Sequence, residues 1–244
     1  MPTTDLLLKS SSLLPESVKQ RVKRALGVPG VEGSLRRMSD NGFAPKTVID
    51  IGAYSGEWTR LCKEIFPDAH VLMVEPQSSK EAPLRQLTSE LSGLSYSQSL
   101  LGETSKDAVG FYENESASSV LESDGHQEPT STIPMRTLSE VTRNTEFSTP
   151  DFIKLDVQGY ELSVLSGGED VLNATEAVLM EVNLIDIYDR APLLQDVVIF
   201  MGERSFRVYD ICTFFRRPLD GALWQVDMIF LKGTSSLLES KRWS

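Results

Sequence analysis

Residues 48–59 read VIDIGAYSGEWT, and this stretch decides the fold. VIDI (48–51) is apolar apart from its aspartate, which is typical of a strand buried in a parallel sheet. Gly52 and Gly56 then allow a tight turn, and Trp58 begins an apolar spacing typical of a helix face. Open α/β sheets bind ligands at the carboxyl ends of their strands, where each strand turns towards a helix. The stretch therefore predicts an α/β domain with a ligand at this turn.

The rest of the chain predicts six further strands, in the runs HVLMVE (70–75), about 94–101, FIKLDV (152–157), AVLMEVN (177–183), FRVYDI (206–211) and VDMIFL (226–231). Helical segments, such as about 160–172 and 193–204, separate most of them, so helices should cover both faces of a mostly parallel sheet. The last two strands are too close in sequence for a crossover helix and should be antiparallel. Short β-like pieces at 111–113 and 133–135 indicate a hairpin or a mobile loop near the ligand. We therefore expect seven strands that end in an antiparallel pair, as in the common class of S-adenosylmethionine (SAM)-dependent methyltransferases.

The composition is that of a soluble globular protein. The 244 residues fit one α/β domain with extra segments, and 40% of them are hydrophobic and 24% charged. No apolar run approaches the roughly 20 residues of a membrane span, and the N-terminus lacks a secretory pattern. The net charge of −11 repels phosphate backbones, so nucleic acid is not expected as a partner. Cys62 and Cys212 form no C-x-x-C pair and are expected as buried thiols in a reducing, cytoplasmic compartment.

The expected organisation is an N-terminal helical extension (1–43), a main α/β domain (44–234) and a C-terminal tail (235–244). Within the extension, apolar residues at 18–26 lie on one helical face that ends at Gly27. The simplest interpretation is a helix packed on the main domain. An anchor on a membrane surface or a homodimer contact is the alternative.

Two glycines and two carboxylates indicate the cofactor. Gly52 and Gly56 have the spacing G-x-x-x-G, which does not meet the dinucleotide pattern G-x-G-x-x-G. A pyrophosphate needs many free amides at the helix start, whereas SAM has no pyrophosphate and needs room for a methionine tail. Asp50 can accept a hydrogen bond from the methionine ammonium group, and Glu75 can bind both ribose hydroxyls.

The adenine ring is expected beside Leu100 and Leu101, at the end of the third strand, with plain core packing of these leucines as the alternative. The complete set of residues expected around the cofactor is Asp50, Gly52, Ala53, Tyr54, Gly56, Glu75, Pro76, Leu100, Leu101 and Asp156.

Several motifs resemble those of the FkbM-type methyltransferase family: VIDIGAYSGEWT (48–59), VEPQ (74–77), LLG (100–102), the serines 118–119, DFIKLDVQGYELSVLSGG (151–168) and LMEVN (179–183). The resemblance covers about residues 45–232. It implies a Rossmann-like class I methyltransferase fold, SAM as methyl donor, and O-methylation of sugars, lipid-linked glycans or natural products. Tyr54 stands where the family usually has a small amide residue, and Gln158 stands where an acidic residue is common.

Asp156, Glu181 and Lys154 are expected to be catalytic. Asp156 and Glu181 lie at the ligand-binding edge of two successive strands, where a general base can take the proton of an acceptor hydroxyl. Lys154 shares a strand face with Asp156 and is expected to orient the acceptor or to pair with a carboxylate. Together with Asn183, the two carboxylates also suit a divalent metal such as Mg²⁺, which is the alternative means of activating the acceptor.

Four other features have less specific interpretations. Glu161 opens a helix and is expected to complement its dipole. His126 lies in a loop, where it is either a general base or an ordinary surface residue. Trp58 is expected in the core, and the segment 212–224, which holds aromatic residues and arginines, is expected to contact the acceptor or another subunit.

Two rival functions fit the sequence less well. A nucleotide-sugar oxidoreductase or epimerase would need the dinucleotide glycine pattern and a Tyr-x-x-x-Lys pair, and a non-catalytic SAM-binding module would lack the polar strand ends. The cofactor half leaves N- and C-methylation open. We therefore predict a SAM-dependent O-methyltransferase that acts on a small-molecule or glycan acceptor.

Overall fold

The residues that the structure, a computed structural model, describes are 30–112, 120, 128–187 and 191–243. The predicted helix around 18–26, the serines 118–119 and His126 lie outside these residues. Within the described ranges, no helix combines the length and the apolar character that crossing a bilayer requires.

The described strands are β1 (Thr47–Ile51), β2 (His70–Val74), β3 (Leu94–Ser97), β4 (Leu100–Leu101), β5 (Lys106–Phe111), β6 (Ser131–Arg136), β7 (Phe152–Leu155), β8 (Ala177–Asn183), β9 (Phe206–Ile211), β10 (Phe215–Arg216) and β11 (Leu223–Lys232). The described α-helices are α1 (Val31–Asp40), α2 (Glu57–Ile65), α3 (Glu81–Glu90), α4 (Leu138–Thr142), α5 (Glu161–Ser166), α6 (Glu169–Ala174) and α7 (Leu194–Glu203).

A mostly parallel sheet forms the centre of the domain. Its strands run in the order β3-β2-β1-β7-β8-β11, and β9 and β10 both pair with the outer side of β11. Strand β11 is antiparallel to β8 and to β9, which confirms the predicted terminal antiparallel pair. The reversal of strand order beside β1 places a crevice at the carboxyl ends of β1, β2 and β7, where open α/β sheets bind ligands.

Side-chain alternation along the strands divides the core into two layers. Ile49 and Ile153 pack with residues of helices α4 to α7 on one face of the sheet. Val48 and Phe152 pack with residues of α1 and α2 on the other face. The helices thus cover both faces, as predicted for a Rossmann-like fold.

Helix α1 belongs to the predicted N-terminal extension and packs directly on the sheet. Its Leu35 and Met38 are fully buried, and Phe43 makes edge contacts with Phe66 and Phe152 at centroid distances of 5.8 and 5.7 Å. Residues 31–43 therefore share the core of the main domain, although the domain boundaries themselves stay a prediction.

The predicted third strand, about 94–101, is wrong as one continuous element. Strand β3 pairs with β2 only as far as Val74 and Ser97, because the chain of β2 turns away after Val74. Leu100 and Leu101 then pair with β6 in a separate three-stranded sheet of order β4-β6-β5. The antiparallel pairing of β5 with β6 confirms the predicted hairpin.

The predicted single helix from about 160 to 172 is also wrong, since the structure has two short helices, α5 and α6. They are separated at Gly167, whose Cα lies so close to the carbonyl oxygen of Gly102 that an added Cβ would come within 2.1 Å of it. The neighbouring sheet therefore fixes the position of this break.

Candidate active site

A cavity of about 290 Å³ opens at the carboxyl ends of β1, β2 and β7. Nine of the twelve residues predicted for the site line it: Gly52, Ala53, Tyr54, Glu75, Pro76, Leu100, Leu101, Lys154 and Asp156. The other three, Asp50, Gly56 and Glu181, are not among the described residues that line it. Apolar and charged side chains thus share one concave site, as is common for small-molecule sites.

The loop after β1 approaches β7 so closely that only glycine fits at its start. Gly52 has a φ of +74°, and a Cβ added to it would lie 1.9 Å from the carbonyl oxygen of Asp156. Tyr54, two residues later, also has a left-handed φ of 48°, and its ring lies under Lys80 Nζ at 3.6 Å from the ring centroid. The amide residue common in the family tolerates this conformation better than tyrosine does, so Tyr54 carries local strain.

Glu75 is held by the backbone on both carboxylate oxygens. Its Oε2 accepts a hydrogen bond from Tyr54 N at 2.9 Å, and its Oε1 accepts one from Gln77 N at 3.0 Å. Burial raises the pKa of Glu75, and hydrogen bonds from the two backbone donors and from the Gln77 side chain oppose that rise. Because a carboxylate has about four lone pairs, it keeps acceptor capacity for a further donor such as a ribose hydroxyl.

Asp50 and Lys154 form a buried pair beneath the loop. They are register partners on β1 and β7, and Lys154 Nζ lies 3.1 Å from Asp50 Oδ1 as an ion pair, although the angle is poor for a hydrogen bond. Thr59 donates to Asp50 Oδ2 at 2.6 Å, and Lys154 donates to Gly52 O at 2.8 Å. Asp50 is 0% exposed, so its carboxylate fixes the loop from below.

The charge of Lys154 is stabilised by its acidic neighbours. Burial by itself lowers the pKa of Lys154, but the carboxylates of Asp50 and Asp156 outweigh burial, and the pKa is raised. The Asp156 carboxylate lies 3.9 Å from Lys154 Nζ, which gives this carboxylate a cation partner.

Gln158 connects two of the predicted catalytic carboxylates. Its backbone is left-handed at φ 54°, and its Nε2 donates to Asp156 Oδ1 at 2.8 Å and to Glu181 Oε1 at 3.2 Å. An acidic residue at this position would add a third carboxylate, whereas the amide supplies a donor to both. The pKa of Glu181 is raised well above its usual range by burial and then by Asp156, Glu161 and Asp227.

Asp227 is a site residue that the sequence analysis did not select. It lines the cavity and lies directly opposite Glu181 in the β8–β11 register. Thr213 donates to Asp227 Oδ2 at 2.5 Å and accepts a hydrogen bond from Asp227 N at 3.0 Å. The available signal was an aspartate within the otherwise apolar run VDMIFL (226–231).

Glu161 organises the loop that carries Asp156 and Gln158. It is 2% exposed, and its Oε1 accepts hydrogen bonds from Val157 N at 3.1 Å and Gly159 N at 3.2 Å. Burial is the main cause that raises the pKa of Glu161 to about 7. Its carboxylate thus acts on the loop amides, in addition to opening helix α5 as the sequence predicted.

Trp58 belongs to both the core and the cavity wall. Its ring packs against Phe152 at a centroid distance of 5.7 Å, as the predicted core position implies. It also lines the cavity, and its Nε1 is buried without a hydrogen-bond partner among the described residues.

Asn183 and the segment 212–224 are not among the described residues that line this cavity. Asn183 Oδ1 accepts a hydrogen bond from Gln225 at 3.4 Å, and the described ranges contain no group of three or more His, Cys, Asp or Glu placed to hold a metal ion. In the segment 212–224, Phe214 and Phe215 are exposed. Neither phenylalanine is among the described residues that line the cavity.

The chain was compared with known protein families, curated proteins and solved structures. The methyltransferase FkbM domain matches residues 50–208, and no curated protein matches. Among solved structures, a precorrin-6y C5,15-methyltransferase from Geobacter metallireducens matches with 9% identity and a TM-score of 0.48, covering 82% of this chain and 86% of the other. The N-methyltransferase NodS from Bradyrhizobium japonicum, in complex with S-adenosyl-L-homocysteine, matches with 10% identity and a TM-score of 0.48, covering 82% and 85%.

A magnesium protoporphyrin IX methyltransferase from Synechocystis, with bound SAM, matches with 9% identity and a TM-score of 0.49, covering 83% of this chain and 76% of that chain. The family match spans well over half of the 244 residues and includes the end of β1 together with β2 and β7, whose carboxyl ends form the cavity. The chain therefore belongs to the FkbM family of SAM-dependent methyltransferases.

Proposed function

We propose that this protein transfers a methyl group from SAM to a hydroxyl oxygen of a small molecule or glycan. The observation that carries the proposal is Glu75, a buried carboxylate whose two oxygens are aimed by backbone N–H groups at one wall of the cavity. Such a carboxylate can accept hydrogen bonds from both hydroxyls of a ribose.

The rest of the cavity fits the parts of SAM on either side of that ribose. Leu100 and Leu101 line the wall beyond Glu75 and provide apolar surface for the adenine ring. Gly52 lets the loop after β1 pack directly on the end of β7, where a side chain would collide with Asp156 O. The backbone of this loop, together with Ala53, Tyr54 and Pro76, forms the adjacent wall of the cavity, against which the methionine part can lie.

The acceptor side supports an oxygen nucleophile. When bound, SAM supplies an electrophilic methyl group, and an alcohol must also lose a proton as it attacks. Asp156 provides a carboxylate at the cavity wall, Gln158 links it to Glu181, and Lys154 compensates its charge. A carboxylate near the transferring methyl group can take that proton. A neutral amine nucleophile depends less on such a base.

The acceptor class is inferred from the family resemblance, and the cellular compartment is inferred from the two cysteines. We propose a sugar, glycan or natural-product hydroxyl as the acceptor, since the family resemblance implies this class. Cys62 and Cys212 are both free and buried. We infer a reducing compartment, and therefore the cytoplasm.

Calorimetry with SAM and S-adenosylhomocysteine tests the proposal first. We expect micromolar binding by the wild type, unchanged by Mg²⁺, and a loss of about 100-fold in Glu75→Ala, because two hydrogen bonds to a charged group are removed. Glu64→Gln is the matched control, since Glu64 is an exposed carboxylate that pairs with Arg36 outside the cavity.

If the folded wild type bound neither ligand, the proposed function would be wrong, and nucleotide sugars would become the ligands to test. If both ligands bind, radiolabelled SAM and a panel of hydroxylated and amine acceptors distinguish O- from N-methylation. Transfer confined to the amines would overturn the oxygen assignment and leave SAM binding intact.

A further inference from the structure

Three carboxylates form a row across three neighbouring strands. Glu181 on β8 and Asp227 on β11 are direct register partners. Asp156 follows Leu155, the partner of Met180, and therefore lies beside Glu181 on the other side. The row begins at the loop after β7 and ends at Asp227, so the order of the strands fixes the order of the three carboxylates.

The three members of this row have different surroundings. Asp156 receives an amide hydrogen bond from Gln158 and an ion pair from Lys154, so its charge is already compensated. Glu181 also receives the Gln158 amide but is absent from the described lining of the cavity. Its raised pKa favours the protonated form, which cannot accept another proton.

Asp227 differs from both because it faces the cavity without a cation within ion-pair distance among the described residues. The Thr213 hydroxyl receives the backbone N–H of Asp227, so its own hydrogen points to Asp227 Oδ2. This contact fixes the carboxylate, while Oδ1 accepts no hydrogen bond from the described part of the chain. Burial raises the pKa of Asp227, and the Thr213 hydrogen bond opposes that rise.

The cavity that Asp227 lines contains features suited to an acceptor. Trp58 and Leu179 line the same cavity and give it apolar surface. The buried Nε1 of Trp58, which has no partner among the described residues, is a donor that a ligand oxygen can satisfy. Asp227 is also four strand spacings from Glu75, roughly 19 Å, which leaves the ribose and the acceptor at opposite ends of the cavity.

We propose that Asp227 is the catalytic base of this enzyme and lies at the point of methyl transfer. The inference rests on the proposed function. As the acceptor oxygen bonds to the methyl carbon, the carbon–sulfur bond breaks with its electron pair left on sulfur, and Asp227 takes the hydroxyl proton. The products are the methyl ether, S-adenosylhomocysteine and a protonated Asp227 that later releases its proton to solvent.

Sinefungin tests this placement without knowledge of the acceptor. In this SAM analogue an amine-bearing carbon replaces the sulfonium and its methyl group, so its ammonium group lies where the methyl group would be. S-adenosylhomocysteine has no group at that point. The ratio of the two dissociation constants, measured by calorimetry, therefore reports the charge that faces the methyl position.

We expect the wild type to prefer sinefungin over S-adenosylhomocysteine, and Asp227→Asn to lose about tenfold of that preference while its affinity for S-adenosylhomocysteine stays the same. Asp156→Asn and Glu181→Gln should change the ratio less. Asp220→Asn is the control for net charge, since Asp220 is an exposed partner of Arg217.

An unchanged ratio in Asp227→Asn, or a larger loss of the sinefungin preference in Asp156→Asn, would overturn the assignment of Asp227 as the base. Neither result would contradict the proposal that the protein binds SAM. Should Asp227→Asn fail to fold, the wild-type ratio still decides, because equal affinity for both ligands contradicts a carboxylate at the methyl position. If the wild type bound neither ligand, both the proposed function and the assignment of Asp227 as the base would be wrong.

Discussion

At the β1–β2 end of the cavity, the key carboxylate of Glu75 is held by backbone N–H groups, whereas at the β8–β11 end Asp227 is held by the side chain of Thr213. The first arrangement depends on the path of the chain, which Gly52 makes possible. The second depends on which side chains happen to meet across strands. On the proposed function, the cofactor end therefore depends on the path of the backbone, and the acceptor end depends on side chains that single substitutions can change.

The largest effect is expected from Lys154→Met, which tests how far the cofactor end depends on its buried support. The substitution leaves the fully buried Asp50 carboxyl group without its cation, at a cost of about 3–5 kcal/mol in the free energy of unfolding. Urea denaturation measures this loss. The double variant with Asp50→Asn should recover part of it, and a loss below about 1 kcal/mol in Lys154→Met would show that the pair is not structural.

Gly52→Ala tests the backbone at the same end, and we expect it to destabilise the protein by about 3 kcal/mol. The new Cβ would meet Asp156 O at 1.9 Å in addition to the strain of a φ of +74°. Gly42→Ala is a matched control, because Gly42 has a φ of +98° with nothing within 4 Å of an added Cβ. Binding of S-adenosylhomocysteine should fall in the Gly52 variant alone. Equal stability losses in the two variants would mean that the close approach to β7 has no separate cost.

The two ends also differ in how far the sequence predicted them. Gly52 and Glu75 follow strands that local apolar runs identify, so their positions at the sheet edge were predictable from a single stretch of chain. Asp227 becomes a neighbour of Glu181, which is 46 residues earlier in the sequence, only through the β8–β11 register. Long-range pairing of this kind leaves no local periodicity.

The errors in the predicted secondary structure have the same origin. The strand predicted to reach residue 101 ends at Ser97 because its partner β2 ends, and the helix predicted from about 160 is broken at Gly167 by the carbonyl of Gly102. Local apolar pattern located most elements of the central sheet, but contacts with distant segments set where they end.

The acceptor end should respond to pH through Glu161. Its folded pKa is raised to about 7, above the ordinary value of 4.5, so the folded state holds a proton that the unfolded chain releases. Stability from this group is therefore present below about pH 4.5 and is lost as the pH rises to about 7, by up to roughly 3 kcal/mol. Glu161→Gln keeps an oxygen for the two loop amides and should flatten the dependence between pH 5 and pH 8. Urea denaturation across this range is the measurement, and parallel curves for the two proteins would contradict the expectation.

Thr213→Val gives the smallest effect and the most direct comparison of the two ends. Valine has the shape of threonine without its hydroxyl, so it removes the contact that orients Asp227 and leaves Asp227 N without its acceptor, at a cost of about 1–2 kcal/mol in stability. Because neither Thr213 nor Asp227 is among the hydrogen-bond partners of Glu75, the affinity for S-adenosylhomocysteine should be unchanged, while the preference for sinefungin should fall by a few-fold as Asp227 loses its fixed orientation. Thr88→Val, at an exposed helix position, is the control. A fall in both affinities would mean that the two ends of the cavity are coupled, and that the side chains around Asp227 also support the loop that binds the cofactor.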